Sequence, residues 1–183
     1  MKMNAKMYFL GVLAPPEVNE KILQWKYYMR DHFECVVALR SPAHITLIPP
    51  FWMKEEMEED LIKDVNSFSI GQQEFQIELQ DFDAFKPRVI FAQVNDNPLL
   101  SQLQASFLDY LIARQKFPIE KESRPFHPHL TIANRDLLKK DFAPAFDHFK
   151  RISYHYRFPV NEIALLKNQS AKWEVIKKIP FSA

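Results

Sequence analysis

The chain has 183 residues, 47% of them hydrophobic, and its 24 Lys+Arg against 23 Asp+Glu leave a formal net charge of +1. That length suits one domain with a sizeable core, or two small lobes sharing one, and the charge balance argues against a surface built to hold duplex nucleic acid. A single cysteine excludes an internal disulfide framework or a Cys-cluster metal site, and only two glycines, Gly11 and Gly71, leave nothing from which to build a dinucleotide fingerprint or a Gly-rich phosphate loop.

In chain order, "MYFLGVLA" from Met7 to Ala14 reads as a first strand. Lys2 and Lys6 before it give a shape loosely like a signal peptide, but the run is short, no small-residue cleavage pattern follows, and Pro15-Pro16 opens a helical pattern directly. No segment approaches the roughly 20 apolar residues a membrane span needs, and with one cysteine a cytoplasmic location is the expectation. Pro16 to Phe33 predicts a helix with Val18, Ile22, Trp25 and Met29 on one face. After the segment "RSPAHITLIPPF" a charged helix is expected from about Lys54, with Met57, Leu61, Val65 and Phe68 inward. "FQIELQDF" and "RVIFAQV" read as strands either side of a turn at Lys86-Pro87, and Asn97-Pro98 caps a helix with Leu100, Leu103, Phe107 and Leu111 inward. "RPFHPHLTIANR" follows, then a short helix from about Asp141 and strands near "NEIALLK" and "KWEVIKKI". Each half thus runs strand, helix, histidine segment, which suggests a weak internal repeat within one two-lobed domain over residues 1–183.

The two histidine segments share a local geometry. Alternate side chains of a strand point to one face, so His44 and Thr46 lie together with Ile45 and Leu47 opposite, and His129 and Thr131 lie together with Leu130 and Ile132 opposite. Arg135 joins the second histidine face if that strand continues so far. Side by side, such strands converge two imidazoles, two hydroxyls and a cation on one small space. Displacement at a phosphodiester needs a base for the attacking oxygen and an acid for the leaving oxygen, and histidine suits both near neutral pH. Thr hydroxyls and an Arg fork can meet the charge that develops on the nonbridging oxygens without a metal. The duplication then has a reason, because the reaction has two ends.

Paired "HITL" and "HLTI" resemble the two motifs of the two-histidine phosphoesterase superfamily, the group containing 2'-5' RNA ligase-like proteins and RNA cyclic phosphodiesterases. "YFLGVLAPPEV" is similar to that family's first strand and first helix start, and "FDAFKPRVIFAQV" to its middle strand pair, so the resemblance spans most of the chain. It implies an α+β, bilobal fold: two antiparallel sheets related by a pseudo-twofold axis, helices on the outer faces and a central cleft. It also implies catalysis by His44, Thr46, His129 and Thr131, with no metal or other cofactor. The expected substrate is a small-molecule nucleotide or RNA end carrying a 2',3'-cyclic phosphate, with 2'-5' ligation as a reverse activity. The expected protein is a monomer with no obligate protein partner and no membrane association. Arg135 is a candidate phosphate ligand; Phe51, Trp52 and Phe126 flank the motifs and are candidates to stack on a base.

Two other readings stay open on the residues alone. His127 and His129, two apart, could hold one metal with His44 as a third ligand, although Pro128 between them fits poorly. Or the same cleft could bind a nucleotide or RNA end without turnover.

Overall fold

Tyr8, Leu10 and Val12 alternate with Phe9, Gly11 and Leu13, and this period of two makes the first strand, β1 (Ala5–Leu13). The chain is seen here as a computed structural model, in which residues 4–182 are described. Pro15 and Pro16 end β1 and open α1 (Pro16–Phe33), with Val18, Ile22, Trp25 and Met29 all buried, as the spacing predicts. The helix stops where Glu34 turns left-handed, its N–H donating to the Arg30 carbonyl and that of Cys35 to the Met29 carbonyl. A 3-10 turn over Val37–Arg40 leads into β2 (His44–Lys54), and a second one over Glu55–Met57 into α2 (Glu58–Ser69). The remainder is β3 (Phe75–Phe85), β4 (Val89–Val94), α3 (Pro98–Ala113), β5 (His129–Ala133), α4 (Phe142–Phe149), β6 (His155–Val160), β7 (Glu162–Gln169) and β8 (Lys172–Pro180).

The strands form two antiparallel four-stranded sheets, ordered β2-β1-β7-β8 and β5-β4-β3-β6. Each histidine strand is therefore the edge of its own sheet, paired with the strand that precedes it across a helix. The edges β2 and β5 meet between the sheets. The helices cross over: α1, which follows β1, packs on β5, and α3, which follows β4, packs on β2. One apolar core takes Leu10, Ile45 and Ile48 from the first sheet, Ile77, Ile90 and Leu130 from the second, and Ile22, Leu61 and Phe107 from the helices. No described helix is long and apolar enough to cross a membrane.

One sequence expectation needs correction and one strand went unread. Lys54 does not start a helix but ends β2, still paired with Ala5, and α2 begins four residues later, where Glu58, Glu59 and Asp60 suit the positive end of the helix dipole. The strand β6 carries no clear sequence signal, because in "HYRFPV" only Phe158 and Val160 are buried.

Gly11 shows how tightly β1 and β2 meet. It pairs with Thr46 beside an irregularity in the register, and a Cβ there would lie 2.5 Å from the Ile45 carbonyl oxygen, a backbone atom between His44 and Thr46. Gly11→Ala should cost about 1–3 kcal/mol, as overpacking does. Thermal unfolding checks it, with roughly 2–4 °C lost per kcal/mol at this chain length; an unchanged melting temperature would mean that β2 moves aside freely.

Candidate active site

Both histidines are the first residues of their strands, and prolines explain why. Pro42 and Pro128 have no N–H to offer a ladder, so neither strand extends backward past its histidine. The carbonyls just outside the ladder are then free to accept. His44 Nδ1 donates to the Pro42 carbonyl at 2.8 Å, and His129 Nδ1 donates to the His127 carbonyl at 2.7 Å, the same offset of two residues in each segment. A carbonyl can only accept, so Nδ1 carries the proton in both neutral rings and Nε2 keeps its lone pair. Among the described residues neither Nε2 has a protein partner.

Each ring is backed by phenylalanine from the neighbouring strand, and His129 also by Phe85 at the end of β3. Phe9 of β1 lies 4.5 Å from His44 between ring centroids, and Phe91 and Phe85 lie 4.9 and 5.1 Å from His129. The segment before His44 is also fixed to what precedes it: the Ala43 N–H donates to Asn19 Oδ1 at 2.7 Å and the Ala43 carbonyl accepts from the Ala14 N–H at 2.9 Å. Burial is the main reason that His44 is pushed down to about 4, and burial lowers His129 as well. The two rings are near enough that charge on His129 depresses His44 further.

Thr46 and His129, one from each motif, line a single cavity of about 790 Å³, together with Leu47, Phe85, Gln104, Arg124, Phe126 and His127. Thr131, like Thr46, is half-buried and on the same strand face as its histidine. Gln104 is a residue the sequence reading missed. Its side-chain amide donates to the Leu47 carbonyl at 3.2 Å, where β2 departs from regular pairing with β1. A second cavity of about 800 Å³ shares Pro49, Glu120, Lys121, Glu122 and Arg124 with the first and reaches Trp52, which is 61% exposed.

Other candidates fall elsewhere. Phe51 is a core residue, 6% exposed, with its ring 6.3 Å from that of Tyr8. It pairs with Tyr8 as Ile45 pairs with Val12, because the two register irregularities between them each place one extra residue in β2 and together restore the parity. Arg135 does not join the histidine face. The chain turns at Asn134 so that Asp136 Oδ2 can accept from the N–H groups of Val36 (2.6 Å) and Val37 (2.8 Å), which ends β5 at Ala133 and leaves Arg135 exposed on the turn. His127 is exposed with its ring 6.3 Å from that of His129, and among the described residues no three His, Cys, Asp or Glu side chains are grouped as a metal site requires.

Residues 14–172 match the 2'-5' RNA ligase superfamily. A Bacillus subtilis protein named RNA 2',3'-cyclic phosphodiesterase is 28% identical over 191 aligned positions, spanning 96% of each chain. A Bacillus cytotoxicus protein named as a phosphoesterase is 26% identical over 170, spanning 91% of this chain and 92% of that one. Among solved structures, E. coli LigT complexed with 3'-AMP superposes with a TM-score of 0.69 at 21% identity, over 98% of this chain and 99% of that one. With its paired sheets and its two histidine strands at facing edges, the chain belongs to the 2'-5' RNA ligase superfamily of two-histidine phosphoesterases.

Proposed function

We propose that the cleft opens a 2',3'-cyclic phosphate, on a nucleotide or an RNA end, to a monoester by metal-independent acid–base catalysis. The observation that carries the reading is the duplicated anchoring of the imidazoles, each tied through Nδ1 to a carbonyl two residues back so that Nε2 is left for chemistry. The name of the Bacillus subtilis relative supports the substrate class. His129 Nε2 takes a proton from water as its oxygen bonds to phosphorus. His44 Nε2 gives its proton to the ribose oxygen as the P–O bond of the ring breaks. Thr46 and Thr131 donate to the nonbridging oxygens, whose charge grows in the transition state. Trp52 and Phe126 offer faces to bases, and Arg124, which lines the cavity, supplies the cation expected of Arg135. Run backward, with the roles exchanged, the same groups join 2'-5' linked ends.

His44→Ala and His129→Ala should each lower turnover of a 2',3'-cyclic nucleotide by about 10² to 10⁴ with a chelator present, and the double variant should fall far short of the product because the pair acts as a unit. Parental turnover in either single variant would remove that histidine from the acid–base pair, no turnover in the parent would favour a site that only binds, and loss of parental activity on chelation would restore the metal reading.

The pH profile has a definite direction. In the free protein both imidazoles lie below their usual 6.5, so the bell in kcat/KM should peak on the acid side of that value. A bound diester anion favours the protonated rings, so the maximum in kcat should lie at higher pH than that in kcat/KM. Coincident maxima above neutrality would contradict the assignment.

The threonines are separable from mere strand propensity by Thr46→Val and Thr131→Val, which keep the β-branched shape. If the hydroxyls serve the transition state, each change should remove roughly 10²-fold of kcat with little change in KM. Both variants should melt near the parent temperature, and full turnover in either would return that threonine to a structural role.

A further inference from the structure

Lys26 lies midway along α1 and is only 3% exposed, among Val18, Ile22, Trp25 and Met29. A buried ammonium ordinarily has a carboxylate partner. Lys26 has none among the described residues; its Nζ donates instead to the Ser41 carbonyl at 2.9 Å. Ser41 is the residue before Pro42, whose own carbonyl holds Nδ1 of His44. A helix that needed only an apolar face would place methionine or leucine here. Retaining a desolvated cation against a single carbonyl calls for another use of it.

We propose that Lys26 is a positioning residue for His44: it fixes the Ser41 carbonyl, and through it the turn that aims the imidazole, and it sets one positive charge beside that ring and not beside the other. The role rests on the reading of His44 as an acid–base group. The charge acts on His44 directly, holding its proton affinity down in addition to the larger effect of burial. Burial lowers Lys26 itself to about 8. The charged or titratable side chains that act on His44 are Lys26 from α1 and His129 from β5, while Phe9 against its ring and Leu13, its partner in register, carry no charge. Among the described residues no buried cation acts on His129; besides burial, what lowers it is its exposed neighbour His127. The two imidazoles are thus built alike and supported differently.

The test compares Lys26→Met, which keeps the length of the side chain and removes charge and donor, with Lys26→Arg, which keeps both. The readouts are NMR titration of the His44 ring and kinetics on a 2',3'-cyclic nucleotide. In Lys26→Met the His44 pKa should rise and the acid limb of kcat/KM should move up with it. In the same variant kcat should fall between about 10- and 100-fold, as for a slightly misplaced catalytic group, with KM little changed. Its melting temperature should equal or exceed the parent's, because a buried charge has been replaced by an apolar side chain. Lys26→Arg should leave the His44 titration near the parental one. A folded Lys26→Met protein whose His44 titrates as in the parent overturns the proposal, as does an Arg variant whose titration moves as far as that of Met. Should Met prevent folding, Lys26→Leu and Lys26→Gln are read in the same way. If the parent itself fails to open any cyclic phosphate, the proposed reaction is lost, and the ring titration, which needs no turnover, still decides the role of Lys26.

Discussion

An imidazole can serve as acid or base at a chosen point only when one of its nitrogens is committed elsewhere. Here that commitment is a backbone carbonyl two residues back, made twice. Much of the site depends on it. It requires a carbonyl outside the ladder, hence a strand that begins at the histidine, hence residues before it that do not pair, which Pro42 and Pro128 ensure. It requires that the turn before each strand hold still, which for His44 is the work of Asn19, Ala14 and Lys26. It also sets the tautomer, so that the nitrogen left over is the distal one, away from the strand's own backbone.

The crossing of the helices ties the two sites together. Because α1 grows out of the first sheet and packs on the second histidine strand, while α3 does the reverse, neither edge strand can shift without moving a helix rooted in the opposite sheet. Asp136 adds a polar tie of the same kind, reaching from the turn after β5 to the two N–H groups that open the 3-10 turn leading toward His44. Close-packed interiors transmit small displacements, and the proposed reaction, with one ring from each sheet, needs their separation kept constant.

Much of this was legible in the residues. Period-two alternation placed His44 with Thr46 and His129 with Thr131, and period 3.6 placed the buried stripes of α1 and α3. What escaped was whatever depends on contacts far along the chain. Arg135 joins the histidine face only if the strand continues, but the competing demand is the bond from Asp136 to residues about a hundred positions earlier, and no local pattern announces it. Phe51 and Trp52 are equally aromatic neighbours; parity with Ile45 sends the first to the core and the second to solvent, and composition alone does not distinguish them. Lys26 is hidden for the opposite reason. A lysine next to Trp25 on an amphipathic helix is expected to snorkel to solvent, and only the Ser41 carbonyl beside it shows that it does not.

The two rings differ most in what surrounds them, and that difference bears on the division of labour. His44 sits half-buried behind a turn fixed at several points and beside a cation, whereas the segment before His129 is largely exposed, from Lys121 through His127. Water reaches the second ring more easily than the first, which fits a base that must deprotonate it. A histidine held low by burial and a neighbouring charge gives up its proton readily once it has one, which fits an acid facing a ribose oxygen that leaves with negative charge. The proton it must first acquire is favoured by the bound diester anion itself, so the ring is charged chiefly when substrate is present. In the proposed reaction an acid built in this way is weakly populated in the empty cleft and strong in the occupied one, and the substrate charge that the threonines are proposed to meet is what loads it.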